Sequence, residues 1–365
     1  MNSFLTIKRA KAICWLDDNT ILLYKKNSFY SYNLVQKRLD KFAKMIMNTK
    51  QSFFSYFALS RRLFRLYPQS SFLCNVTNEL FFSFCGNIFC LNLLKKSISN
   101  ELHLNHDASR VLSICASDTG EVYFGEYPTK NDGLPVCIYK RRAEKEWCVV
   151  YRFEAETIRH IHLLSIYAND LYCFTGDEDN QINILCFKNR NFEEQPIVIA
   201  ANNQKYRTCV ASFYDKSLYY LTDNPYFQNK LFRLDLNSNE LTELFNIDGS
   251  VIYGLGNTQT HRLYFSTAVE KNLKKDDLNN NVRIPIDGIN GGIRSEEARA
   301  YCFDFDKSEL KKIISLMKDI LPIKLFGLGT FTFTCNSSDK YLALTSSSLK
   351  KNERTFIFNL ESEKY

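Results

Sequence analysis

Glycine and proline, the usual punctuation of short strands, are scarce: 13 and 7 in 365 residues. Turns must then fall to Asn, Asp, Ser and Lys, whose side chains cap their own backbone or whose backbones accept turn geometry. No Cys-x-x-Cys occurs among the 12 cysteines, which removes zinc ribbons and thioredoxin-type redox sites from consideration. Most cysteines sit in apolar runs such as Ile114-Cys115-Ala116 and Val136-Cys137-Ile138, where they act as small core hydrophobes in a reducing compartment. No stretch approaches the roughly 20 apolar residues that cross a bilayer. The opening MNSFLTIKRAKAICWLDD has no long apolar core, so no secretory signal is expected, and the default is a cytoplasmic protein with no membrane span. Charge is also modest, 47 Lys+Arg against 40 Asp+Glu for a net +7. Neither a long basic run nor an aromatic platform interleaved with one is present, so no nucleic-acid partner is expected.

Aromatic residues are plentiful, with 29 Phe and 21 Tyr, and both favour strands. They recur in one pattern: an Asp- or Asn-rich turn, a short apolar-aromatic strand, a polar loop and a second strand. Asp17–Tyr24 with Ser28–Tyr32 is the first copy, and Asn78–Phe84, Thr119–Gly125, Asn169–Thr175, Lys216–Thr222, Thr260–Ser266 and Asp339–Thr345 open the other six. Each is preceded by a further strand candidate: Ala12–Leu16, Phe72–Val76, Val111–Ala116, Ile158–Ile166, Arg207–Phe213, Val251–Leu255 and Phe331–Cys335. Copies begin mostly 41 to 50 residues apart, a period that with four short strands per unit defines a β-propeller. The expected fold is all-β: one seven-bladed β-propeller over residues 1–365, with six or eight blades as the neighbouring counts and a two-sheet sandwich as the structural alternative. Two insertions interrupt it, at about 34–60, which contains a helix-like Lys37–Met45, and at about 271–298. The N-terminal Ser3–Ile7 is a spare strand able to close the last blade and remove its open edge.

Propeller geometry puts the start of each first strand and the end of each second strand on one face. Ile158-Arg159-His160-Ile161-His162 then gains meaning, because strand residues two apart share a side. His160 and His162 form the only such histidine pair; His103, His106 and His261 are expected at the surface. Expected at one mouth of the central channel are Arg61, Arg159, His160, His162, Tyr206, Arg207 and Tyr253 from strand starts. Glu126, Tyr127, Asp177, Asp223 and Glu270 come from second-strand ends, and Gln204 lies nearby. Convergent polar groups in a concavity are the default binding site.

Two chemistries fit this set. In acid–base work, His160, His162 or Tyr206 moves a proton, Glu126 and Asp177 assist, and Arg207 neutralises a substrate carboxylate. Arg159, Tyr127, Gln204, Asp223, Tyr253, Glu270 and Arg61 then bind substrate. In the second, His160 and His162, with Gln204, Asp177 or Glu126, hold a divalent metal ion. A turn role for Asp177 and ion pairing for Arg159 and Arg207 are the plainer alternatives.

Several stretches carry a resemblance. Gly125-Glu126-Tyr127, Val136–Tyr139, Trp147 followed by Val150–Phe153, Ile158–His162, Thr175–Asp177, Gln204–Arg207 and Tyr219–Asp223 together resemble bacterial sialidase-like propellers of the BNR or Asp-box type, which are often labelled glycosyl hydrolases. The resemblance spans roughly residues 60–270 and implies a propeller with a carbohydrate substrate. An Asp-box reads Ser-x-Asp-x-Gly-x-x-Trp, whereas Tyr139–Trp147 keeps the Trp without the Asp or Gly. The sialidase arginine triad and Tyr–Glu nucleophile pair have no residue-by-residue match. His160-Ile161-His162 with Gln204 is closer to the metal-binding oligogalacturonate lyases. The expected function is thus a hydrolase or polysaccharide lyase acting on an acidic or polar saccharide; the alternative is a glycan-binding or protein-scaffold propeller without chemistry.

Overall fold

The structure, a computed structural model, describes residues 5–104, 110–129, 133–224, 227–269 and 295–360. Seven four-stranded antiparallel sheets make up the fold, which is a seven-bladed β-propeller. Within six of them each strand pairs with the next in sequence. First strands are Lys11–Asp17, Ser71–Cys74, Ile114–Ala116, His160–Tyr167, Thr208–Tyr214, Val251–Asn257 and Thr330–Phe333 for blades one to seven. The strands between Asp/Asn turns match the expected repeats closely, because those turns close tight hairpins without glycine. Asn78, Asn169, Asp215 and His261 all adopt positive φ, a conformation Asn and Asp tolerate better than most residues.

The blades belong to two compact units, Ala10–Arg207 with blades one to four, and Met1–Arg9 with Thr208–Tyr365 holding blades five to seven. In the first unit, Tyr123, Ile138, Ile161, Leu171 and Cys173 build one apolar cluster. A second gathers Phe81, Ile88, Val111 and Phe124. Arg141 bridges the carboxylates of Glu79 at 2.9 Å and Glu101 at 3.0 Å. In the second unit Phe331, Leu344 and Phe356 pack with Tyr264 and Ala300.

Blade seven takes its fourth strand from the other end of the chain. Leu5–Lys8 pairs antiparallel with Arg354–Asn359, Leu5 opposite Ile357 and Lys8 opposite Arg354. The expected closing strand therefore forms, and it covers what would be a paired-edge template beside buried Phe356, Ile357 and Phe358.

Blade one corrects the first insertion. Residues 38–44 are the fourth strand of that blade, Arg38–Lys44, and not helix. Pairing with Ser28–Asn33 along its whole length outweighs the helix propensity of its lysines. Helix appears only afterwards, as α1, Thr49–Phe54, and α2, Ala58–Leu63. The second insertion lies largely outside the described residues, with Glu297 already opening the third strand of blade six.

Deleting residues 1–9 should expose the Arg354–Asn359 edge. The expected outcome is a lower melting temperature and concentration-dependent aggregation, measured by thermal unfolding with light scattering. An unchanged transition would show that the closing strand does not stabilise blade seven.

Candidate functional site

Blade four supplies the centre of the site. Its second strand, Asp170–Gly176, is buried throughout. At its end the Thr175 hydroxyl accepts the Asn183 backbone N–H at 3.0 Å and donates to the Gln181 carbonyl at 2.5 Å. Thr222 and Thr267 repeat this device, accepting the N–H of Lys230 and of Arg299, each at 2.9 Å. Each hydroxyl satisfies a backbone donor near the start of the third strand, and the next residues project beyond it. In blade four those residues are Gly176 and Asp177.

The first strand meets them through a bulge. His160 pairs with Gly176 and Ile161 with Thr175, but Leu163 pairs with Phe174, leaving His162 as the extra residue. A bulge re-aims the side chain it carries. The imidazoles of His160 and His162 end 5.0 Å apart between centroids, and both reach Asp177. Gly176 makes the room: a Cβ there would lie 2.8 Å from His162 Cε1.

Asp177 is the hub. His160 Nε2 lies 3.0 Å from Oδ2 and His162 Nε2 lies 3.2 Å from Oδ1. Arg207 Nη2 stands 2.9 Å from Oδ1 and Arg159 Nη1 3.4 Å from Oδ2. Gln204 Nε2 donates to the Asp177 carbonyl at 2.9 Å and to Asp179 Oδ1 at 2.8 Å. Tyr127 stacks on His160, with centroids 3.8 Å apart. Both imidazoles are buried, at 2% and 1% exposure, whereas the Arg159 side chain remains 39% exposed and opens the cluster to solvent.

Burial alone would raise the Asp177 pKa. Contacts with His160 and His162 and the charge of Arg207 overcome it, holding the carboxyl well below the usual carboxylate range. For His160, burial dominates and lowers the pKa, although Asp177 opposes it. His160 is therefore neutral near pH 7. Its Nε2 approaches Asp177 Oδ2 closely but without good hydrogen-bond direction. Both its ring nitrogens and His162 Nδ1 are enclosed with no well-directed partner among the described residues. A neutral imidazole with an open nitrogen lone pair is a proton acceptor.

The donor types suit a metal: ligand atoms of His160, His162 and Asp177 all lie within 4.8 Å of one another. The charge balance does not. Two guanidinium groups already sit on the only carboxylate of that set, and a divalent ion would face both. Gln204 turns its amide N–H groups toward Asp177 and Asp179. The arrangement fits an anionic group better than a cation.

The remaining expected residues fall elsewhere. Glu126 ends the second strand of blade three, where its Oε2 accepts the Cys137 N–H at 2.9 Å and its Oε1 the Tyr139 hydroxyl at 3.2 Å. It takes the place of the threonine of blades four to six, so its carboxylate is occupied with its own hairpin. Tyr206 is half-buried, with Lys205 Nζ 4.8 Å from its ring centroid. Arg61 lies within α2, not at a strand start, and its Nη1 donates to the Ser55 carbonyl at 2.7 Å. In the second unit, Asp223 accepts from Cys209 Sγ at 3.5 Å and Tyr253 packs against the cluster around Phe331. Glu270 and His106 lie outside the described residues. His103 is exposed, and His261 pairs with Asp306 at 2.9 Å. Gly176 and Asp179 are new members of the site; Thr-Gly-Asp after a buried strand was the signal for the first, and nothing in the sequence marked the second.

No family model and no curated protein matches the chain. Solved β-propellers do. A chain of the mitotic checkpoint complex is 8% identical at a TM-score of 0.57, covering 98% of this chain and 94% of that one. An oligogalacturonate lyase from Vibrio parahaemolyticus is 11% identical at a TM-score of 0.56, covering 99% of this chain and 92% of that one. At these identities the likeness is one of fold.

Replacing Asp177 by Asn should destabilise the protein by roughly 3–5 kcal/mol, because the largely desolvated Arg207 guanidinium loses its counter-charge. The pH dependence has a defined sign. Asp177 is ionised in the folded state far below its unfolded value of 3.8, so the stability it contributes is present above that value and lost as pH falls beneath it. His160 is also harder to protonate when folded than its unfolded value of 6.5, so stability already declines as pH drops below 6.5. Urea midpoints across this range should fall in two stages, and Asp177→Asn should remove the lower one. Gly176→Ala should cost about 1–3 kcal/mol by crowding His162; an unchanged midpoint would show that the ring is free to move.

Proposed function

We propose that the chain is a carbohydrate-active propeller that binds an acidic saccharide at the Asp177 cluster and cleaves it by β-elimination, as a polysaccharide lyase does. The observation that carries this reading is the gathering of two buried imidazoles and two guanidinium groups on one carboxylate. Elimination from a uronate needs a base for the proton beside the carboxylate, a cation to hold that carboxylate as charge develops, and an acid for the leaving oxygen. His160, neutral and with an open nitrogen, takes the C5 proton. The electron pair forms the C4–C5 double bond as the C4–O bond breaks, and His162 returns a proton to the departing oxygen. Arg159, the exposed guanidinium, pairs with the substrate carboxylate, while Arg207 fixes Asp177 and through it both imidazoles.

The neighbouring oligogalacturonate lyase supports the substrate class, and so does the sialidase-like pattern of residues 60–270. Cytoplasmic action on imported or recycled oligosaccharides is part of the proposal, and twelve unbridged cysteines suit that reducing compartment.

Oligogalacturonides mixed with the full chain should yield an unsaturated product, read by its ultraviolet absorbance. His160→Gln should lower kcat by about 10²–10⁴-fold with the fold retained by circular dichroism, and Arg159→Ala should act mainly on KM. Activity should fall as pH drops and His160 becomes protonated. If neither acidic oligosaccharides nor galacturonate raises the melting temperature and no product forms, the reading fails. Stabilisation by Mn²⁺ or Zn²⁺ that disappears in His160→Ala/His162→Ala would instead assign the cluster to a metal.

A further inference from the structure

The α1–α2 hairpin is built inside out. Its inward contacts are polar: Asn27 Nδ2 donates to Ser52 Oγ at 3.3 Å, and Arg61 Nη1 donates to the Ser55 carbonyl. Arg61 and Arg62 are the buried residues of α2, and α1 has none. The large apolar side chains face outward instead. Phe53 is 61% exposed, Tyr56 52%, Phe57 53% and Leu59 56%, with Phe54 and Phe64 beside them. The aromatics are one contiguous group: Phe53 lies 5.4 Å from Phe57 and 5.6 Å from Phe54, and Phe54 lies 5.1 Å from Phe64, between centroids. Folding normally buries such a face, and a patch of this kind on a folded protein marks an interaction site.

Charge around it selects the occupant. From Asp40 to Glu79 the chain contains no acidic residue, while Lys41, Lys44, Lys50 and Arg65 lie between them in addition to the two buried arginines. Lys41, Lys44 and Lys50 are exposed. Lys26, from blade one, holds its ammonium 5.0 Å from the Tyr56 ring centroid. Exposed aromatics in a segment that carries lysines and no acidic residue, with one lysine over the tyrosine, match the boundary between headgroups and acyl chains of an anionic bilayer. A protein partner fits less well. Five aromatics exposed by about half offer on the order of 500 Å², below the roughly 800 Å² that each side of a stable protein interface buries.

We propose that α1–α2 is a peripheral membrane anchor that inserts Phe53, Phe54, Phe57 and Phe64 into an anionic lipid surface, with Lys44 and Lys50 against the headgroups. Arg61 ties α2 to the end of α1 through the Ser55 carbonyl, and Ser52 of α1 meets Asn27 of blade one, so these inward contacts are polar. The apolar face is thereby left for lipid.

Flotation of the full chain with phosphatidylcholine vesicles, with and without phosphatidylglycerol, tests this. Association should be at least about tenfold greater on the anionic vesicles and should weaken as salt screens the lysines. Phe53→Ser/Phe57→Ser alters two exposed residues, so it should keep the circular dichroism spectrum and melting temperature while losing at least about tenfold in association; Lys44→Glu/Lys50→Glu should lose the anionic preference. Absence of the wild-type chain from floated vesicles overturns the proposal. So does undiminished flotation of the serine variant, or a dimer in sedimentation that the serine variant reduces to monomer, which would assign the face to a second copy of the chain.

Discussion

A carboxylate withdrawn from water must be repaid in charge and geometry, and Asp177 sets that requirement for the whole site. Its burial would favour the neutral acid; two guanidinium groups and two imidazoles reverse that preference. Each local feature of blade four serves the arrangement. Thr175 closes the hairpin so that Asp177 projects, Gly176 leaves space for His162, the bulge turns that ring, and Gln204 holds the Asp177 backbone carbonyl. Arg207 comes from the segment that follows blade four, so the loop path after the blade is as much part of the site as the strands are.

The repeat was legible in the sequence because its physical cause is local. Asn and Asp turns flank short aromatic strands, and both the blade count and the closing strand Leu5–Lys8 follow from counting them. The His160–His162–Asp177–Arg207 grouping was also legible, since strand starts and ends share a face. Glu126 was misassigned because its position relative to the strand matches Asp177, and only the third strand reveals that its oxygens are taken by Cys137 and Tyr139. Arg61 was misassigned for a different reason: a helix intervenes before the first strand of blade two, and helix propensity in Phe53–Leu63 competes with its aromatic, strand-like composition.

That segment also defeats the usual inference from polarity to exposure. Reading hydrophobic residues as core places Phe53, Phe57 and Leu59 inside and Arg61 and Arg62 outside, whereas the structure has the reverse. Arginine can occupy the inner face because its donors reach carbonyls such as that of Ser55 and its stem packs as hydrocarbon. The capping box between Asn48 and Gln51, at 2.8 and 3.2 Å, then fixes the start of α1 without any apolar contact.

The bulge at His162 belongs to a wider series. First strands of blades four, five and six each carry one extra residue at the corresponding place: His162, Cys209 and Ile252. The backbone distortion is thus indifferent to what it carries, since it holds an aliphatic chain as readily as an imidazole or a thiol. Such a socket separates evolvability from folding. A reactive side chain can be installed or withdrawn by a single codon while the ladder around it stays the same, and the chemistry that the socket displays can drift without the architecture having to follow.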